Sequence, residues 1–203
     1  MQVAAPQIVR HRVLHLDGFL APGDVTALMD YTFASQAAFV QSGTSDSAAN
    51  YRKSLVLNPS AAVSGPFTAK IRAIIPQVIT GLRMRPFECG TIECQITANT
   101  DGSFFNIHTD AGHNETILRQ LTYVYYFNRE PKGFDGGELR IYDDQIRNGK
   151  LARIDSYQTV EPRQNSIVFF QAPIMHEVAL VRVASGDFRD SRFTVNGWVN
   201  RAA

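Results

Sequence analysis

The chain has 203 residues, 44% of them hydrophobic and 10% aromatic, enough to bury roughly 70% of the surface its unfolded form would expose. Disorder is thereby excluded as the main state, and the length leaves room for one domain with at most a modest extension. Twenty Lys plus Arg against nineteen Asp plus Glu give a formal net charge of +1, so no bulk field recommends a nucleic acid or an anionic membrane as partner. No segment approaches the ~18 apolar residues of a membrane helix, and the first residues carry no basic stretch leading into an apolar run. A cytoplasmic protein is expected, with nothing in the sequence to fix its oligomeric state. Cys89 and Cys94, five apart, would face opposite sides of an extended strand, which predicts free thiols in a reducing compartment.

In chain order, residues 8–20 read as extended. Pro22-Gly23-Asp24 then leads into Val25, Leu28, Met29, Thr32 and Phe33 at helical spacing, predicting an amphipathic helix. Residues 41–50 are rich in Ser, Thr, Gly and Asn and read as a surface loop and candidate lid. Gly65-Pro66 is expected to open a second helix with Ile71, Ile74, Ile75, Val78, Ile79 and Leu82 as its core stripe, kinked at Pro76. Near Pro86 the pattern changes. Eight strands are expected at residues 91–98, 103–107, 117–127, 138–142, 156–160, 167–171, 177–183 and 192–200. Turns are marked by Asp101-Gly102, Asp135-Gly136-Gly137, Pro162-Arg163-Gln164-Asn165 and Ser185-Gly186-Asp187. This is an all-β core with flanking helices packed on one sheet, an α+β chain with a jelly roll or small barrel at its centre.

His108 and Asp110, two apart on an extended segment, point to one side. His176, at the mouth of a later strand, is a third donor that a jelly roll could bring beside them. Two imidazoles and one carboxylate on one face form the ligand set of non-haem iron(II) oxygenases, with positions left open for substrate and dioxygen. Arg192 opens a strand whose alternate positions place Arg192, Thr194, Asn196 and Trp198 on one face. Inside a barrel such an Arg needs an anion, and its planar fork suits a carboxylate. Considered alone, the same Arg is as well explained by pairing with Asp187 or Asp190 at an exposed strand end. His11 and His15 lie on an alternating segment and read as exposed. Tyr51, Arg52 and Ser54, beside the predicted loop, are candidates for closing over a substrate, with solvation the alternative. His113 is a further candidate beside Asp110.

The order His108-Thr109-Asp110, then residues 121–128, then Gly136-Gly137-Glu138-Leu139-Arg140-Ile141-Tyr142, then His176-Glu177-Val178, then residues 192–198, resembles the prolyl-4-hydroxylase-like branch of the iron(II) and 2-oxoglutarate-dependent dioxygenases. The opening Leu16-Asp17-Gly18-Phe19-Leu20 is similar more loosely. The resemblance implies a double-stranded β-helix, the family's jelly roll, in a single domain over residues 1–203, with residues 1–90 as a helical support region and 91–203 as the core. It implies His108, Asp110 and His176 as iron ligands, Arg192 on the distal carboxylate of 2-oxoglutarate with the Tyr126 hydroxyl sharing it, and Leu139 packing on the cosubstrate's methylenes. Where many relatives have a Tyr before the first ligand, this chain has Ala98, so Gln95 or Thr97 is expected to face the cosubstrate instead. Iron(II), 2-oxoglutarate and dioxygen are the implied cofactor and cosubstrates, with ascorbate a candidate addition. A carboxylate at position 110 favours hydroxylation over halogenation. The expected activity is hydroxylation of an unactivated C–H bond in a peptidyl or small-molecule substrate, such as a prolyl residue or a free amino acid. Trp198, Asn196, Arg52 and His113 are its candidate contacts. The alternative is a non-catalytic metal-binding jelly-roll module.

Overall fold

The computed structural model describes residues 7–43, 51–112, 116–147 and 149–202. In chain order its elements are β1 (Ile8–Val9), β2 (Leu14–Asp17), α1 (Pro22–Ala34), β3 (Val40–Gln41), β4 (Arg52–Lys53), β5 (Leu55–Leu57), α2 (Ala61–Leu82), β6 (Cys89–Ile92), β7 (Gln95–Asn99) and β8 (Phe104–His108). There follow β9 (Arg119–Phe127), β10 (Asp135–Gly136), β11 (Leu139–Arg147), β12 (Lys150–Val160), β13 (Ser166–Gln171), β14 (His176–Val178), β15 (Val181–Arg182) and β16 (Arg192–Arg201). The larger sheet runs β2-β13-β9-β16-β7-β5-β3 with β6 added on β16. The smaller runs β1-β11-β14-β8-β4 with β12 added on β11. Their pairings are antiparallel, and the two sheets form the expected jelly roll.

The core has two main parts, besides a small cluster of Phe134, Val181 and Val183. One part lies between the helices and the larger sheet, where Phe67, Ile71, Val78 and Leu82 of α2 meet Tyr123, Tyr125, Phe127, Phe193 and Val195. Aromatic pairs such as Phe67–Tyr125, edge-to-face at 5.5 Å, add about 0.5–1.5 kcal/mol each beyond their burial. The other part, Tyr126, Leu139, Ile141, Val168, Phe170 and Ile174, bridges the sheets. Asn165 ties the chain start to this frame. Its backbone takes the left-handed conformation (φ 55°) that Asn tolerates, while its side chain accepts from Leu20 N–H and donates to Leu20 C=O, both at 2.9 Å. Gly197 is required by close approach, since a Cβ there would run into the Glu93 carbonyl and the Tyr123 hydroxyl.

Both helices and the strand-rich second half stand as expected, with departures, the first being that the strand expected at 91–98 is split into β6 and β7, which both pair with β16. α2 begins at Ala61, so Gly65-Pro66 lies inside it and Pro66 removes only one ladder bond. Gln41, read as loop, pairs with Leu55 in a short strand; residues 44–50 of the predicted lid lie outside the described residues. The hairpin β11–β12 is far longer than its predicted strands. Its polar positions are satisfied in place, the Ser156 hydroxyl donating to Asp143 at 2.7 Å and His11 meeting Asp144 at 2.8 Å. Residues 177–183 form two strands, β14 and β15, with different partners. Asp135-Gly136, read as a turn, is itself the short strand β10. Cys89 and Cys94 are free thiols, and no helix among the described residues is long and apolar enough to cross a membrane.

Candidate active site

His108 ends β8 and His176 begins β14, and the two are direct partners on adjacent strands, so their imidazole centres stand 4.1 Å apart. Asp110 follows β8, its N–H donating to the Ala172 carbonyl at 3.1 Å. Its Oδ1 lies 3.7 Å from His108 Nε2 and its Oδ2 3.3 Å from His176 Nε2. The three ligating atoms all lie within 4.8 Å of one another. Each ring's Nδ1 faces a carbonyl, Asn106 for His108 at 2.7 Å and Ile174 for His176 at 2.9 Å. A carbonyl only accepts, so Nδ1 carries the proton and Nε2 presents a lone pair. Three acceptor atoms therefore converge in a buried place, an arrangement that calls for a cation.

The electrostatics follow. Burial works against the Asp110 charge, but His176 first and then His108 and the Thr122 hydroxyl, which donates to Oδ2 at 2.7 Å, hold the carboxyl well below the usual range. His108 is pushed down to about 3, chiefly by burial and then by His176. His176 moves the other way: burial lowers it, and the contact with Asp110 outweighs that and raises it. The space between the two Nε2 atoms and the Asp110 carboxylate would suit a divalent cation.

Arg192, at the start of β16, is 2% exposed. Its Nη1 donates to Asn99 Oδ1 at 3.2 Å, its Nε has no hydrogen-bond partner, and its guanidinium carbon lies 5.0 Å from the Tyr126 ring centre. The exposed-end alternative fails, because Asp190 is taken by Arg129 at 2.6 Å and Ser185 at 2.6 Å. Gly137, at φ 72°, makes room for Arg192, since a Cβ there would strike its side chain. The Tyr126 hydroxyl is also buried without a partner, and burial raises it to about 12 against the opposing pull of Arg192. Leu139 lines the cavity with Arg192 and the three acceptors; Tyr126 does not. Orphaned donors of this kind are costly unless an anion satisfies them.

The remaining wall comes from alternate positions of the larger sheet. Thr194, Asn196 and Trp198 all face the cavity, as does Thr97, whose hydroxyl donates to Asn196 Oδ1 at 2.7 Å, whereas Gln95 does not reach it. The Trp198 Nε1 is buried and unpartnered. Its ring lies 3.7 Å under the Arg119 guanidinium, which Glu93 holds by two bonds of 2.9 and 2.6 Å and which donates to the Asp110 carbonyl at 3.3 Å. Arg52 and Ser54 also line the cavity, while the Tyr51 hydroxyl turns to the Ile107 carbonyl at 3.2 Å. His113 lies outside the described residues. His11, expected to be exposed, is tucked against Asp144 with its side chain 12% exposed, and His15 sits beside Arg163. Asn99, Thr122 and the Glu93–Arg119 pair had no assigned role from sequence; only the inward alternation of β7 and β9 pointed to the first two.

A family model described as the 2OG-Fe(II) oxygenase superfamily matches residues 94–200. An uncharacterized PKHD-type hydroxylase of Synechocystis sp. is 39% identical over 188 residues, 92% of this chain and 62% of the relative, so the chain spans less than two thirds of that protein's length. Among solved structures, a Pseudomonas putida prolyl-4-hydroxylase superposes with a TM-score of 0.68 at 21% identity, covering 95% of this chain and 94% of that one. A Trichoplax adhaerens prolyl hydroxylase, solved with a hypoxia inducible factor peptide fragment, superposes with a TM-score of 0.66 at 14% identity, covering 93% and 83%. The residues present fit the implied cofactors: an acceptor-only set of two imidazoles and a carboxylate suits iron(II), and a buried guanidinium whose Nε has no partner, in the same cavity, suits a carboxylate of 2-oxoglutarate. On the matched span, more than half its length, the chain belongs to the 2OG-Fe(II) oxygenase superfamily.

Proposed function

We propose that the chain is an iron(II)- and 2-oxoglutarate-dependent hydroxylase that acts on an unactivated C–H bond of a prolyl residue or a free amino acid, and that residues 1–203 form one domain. The observation that carries this reading is the sharing of one cavity by three converging acceptors and a buried, unsatisfied Arg192. When bound, iron(II) and 2-oxoglutarate supply oxidative chemistry in which dioxygen is consumed, 2-oxoglutarate becomes succinate and carbon dioxide, and the substrate gains a hydroxyl. His108, Asp110 and His176 hold the metal from one side, with both imidazoles locked in the ligating tautomer by the Asn106 and Ile174 carbonyls. Thr122 keeps the Asp110 carboxylate oriented and ionised. Arg192 grips the distal carboxylate of the cosubstrate, the Tyr126 hydroxyl turns to it, and Leu139 packs on its methylenes. Trp198, Asn196 and Arg52, which line the cavity, meet the primary substrate. The PKHD-type relative and the prolyl hydroxylase neighbours support the choice of hydroxylation. A module that only held metal would have no use for an unpaired guanidinium buried in the same cavity.

The test is anaerobic titration with iron(II) and 2-oxoglutarate, followed by succinate release in air against free amino acids and proline-containing peptides. The expected result is a weak visible charge-transfer band and substrate-stimulated succinate. Absence of both from a folded, metal-loaded chain would overturn the assignment.

A further inference from the structure

On the hydroxylase reading above, two charged groups of the cavity are committed, Asp110 to the metal and Arg192 to the cosubstrate. Arg52 is left. Its guanidinium lines the cavity from β4 and is fixed in two ways: Nε donates to Ser54 Oγ at 2.9 Å, and the group lies over the Phe105 ring at 4.7 Å. Ser54 in turn donates to Ser42 at 3.0 Å. Neither anchor is an anion. Among the described residues no carboxylate comes within ion-pair distance of Arg52, and Asp110 is the one acidic side chain among them on the cavity wall. A guanidinium stays protonated in proteins, and Asp110 acts on this one only through space, so among the described residues the cavity holds a largely buried cation without a contacting counter-ion, which is costly until an anion arrives. The unpartnered Trp198 Nε1 adds a second donor on the same wall, and Asn196 already has its oxygen occupied by Thr97. Among the described residues this wall offers donors and one positive charge, and no negative group besides Asp110.

We propose that the primary substrate carries a carboxylate and that Arg52 binds it, which makes Arg52 the residue that sets substrate class. The carboxylate has two sources, the α-carboxylate of a free amino acid or an acidic side chain next to the target residue in a peptide. The chain has a single tryptophan, and it lines this cavity, so its fluorescence reports occupancy without turnover. The protein is loaded anaerobically with iron(II) and 2-oxoglutarate. It is then titrated with L-proline, L-leucine and L-aspartate against their carboxamides, and with proline-containing peptides carrying Asp against the same peptides carrying Asn. The expected result is binding at least ten-fold tighter for the acid member in one arm, and the responding arm names the source. Arg52→Lys keeps part of that preference and Arg52→Gln loses it. Equal binding of acid and amide by the wild-type chain overturns the proposal. So does an unchanged ratio in Arg52→Gln, or silence of Trp198 toward every carboxylate while the iron–2-oxoglutarate band forms. Failure of that band in the wild-type chain strikes the hydroxylase reading instead.

Discussion

Strands β7, β9 and β16 carry two unlike faces. Toward the helices they present Ile96 and Ala98, then Leu121, Tyr123, Tyr125 and Phe127, then Phe193, Val195 and Val199, all buried among apolar neighbours. Toward the cavity the intervening positions are Thr97, Asn99, Thr122, Val124, Arg192, Thr194, Asn196 and Trp198. The backbone is shared and the alternation is the two-residue period of a strand, so one set of hydrogen bonds supports both. One face supplies stability through area removed from water. The other holds polar groups, of which Arg192 Nε and Trp198 Nε1 are buried without a partner.

The largest expected effect is on the cavity side. His176→Ala removes one of the three proposed metal ligands, so iron affinity should fall by more than the roughly 10–100-fold typical of losing a mere outer-shell partner, and turnover should be lost. Equilibrium dialysis of iron, with succinate measured at matched iron occupancy, checks this; full activity at equal occupancy would remove His176 from the site. On the helix side, Phe193→Ala should lower unfolding free energy by about 3–5 kcal/mol, as for other large-to-small changes in a closed core. Phe193 is fully buried and stacks on Phe127 at 5.6 Å. Denaturant melts report it, and the Michaelis constant for 2-oxoglutarate in the remaining folded enzyme should change little. A large change there would show that the two faces are not separable.

Arg192→Ala tests the boundary between them, since Arg192 is buried as deeply as the apolar set and yet belongs to the site. Removal of the guanidinium should cost cosubstrate binding about 2–5 kcal/mol, some 30-fold or more in the 2-oxoglutarate Michaelis constant, with iron binding nearly untouched. Arg192→Lys should restore only part, because an ammonium cannot reproduce the two parallel bonds of the fork.

The same contrast explains what the sequence discloses. The convergence of the three acceptors is legible because Asp110 follows two residues after His108 at the end of one strand and His176 opens another. Arg192, Asn196 and Trp198 follow from a single long strand with clean alternation. β3, β4 and β5 are two or three residues each, too short for any period to register, so the approach of Arg52 to the cavity could be suspected and not placed. The hairpin β11–β12 runs past its expected strands through Asp143 and Asp144, residues depleted in strands, whose side chains are met by Ser156 and His11, partners distant in sequence. Glu93, Arg119 and Trp198 are joined across 26 residues or more, and no local pattern encodes such a pairing.

The smallest effect expected is also the most discriminating, because it assigns opposite signs to two measurements on one variant. In the ligand-free chain the Tyr126 hydroxyl is buried with no partner, so it contributes nothing to offset its own desolvation. Tyr126→Phe should therefore leave the melting temperature of the ligand-free chain unchanged or slightly raised, since deleting an unsatisfied buried polar group is neutral or stabilising. If the hydroxyl turns to the carboxylate proposed to lie on Arg192, the same variant should lose roughly 0.5 to 3 kcal/mol of 2-oxoglutarate binding, the range for one hydrogen bond up to that with a charged acceptor. The ring stays, so the packing with Leu139 and Val168 stays, and the contact of the Arg192 guanidinium with the aromatic face is kept. Thermal melts without ligand, beside 2-oxoglutarate Michaelis constants for Tyr126→Phe and Arg192→Ala, separate the alternatives. A destabilised ligand-free chain with unchanged cosubstrate binding would move Tyr126 to the structural side of the division and leave Arg192 alone on the carboxylate.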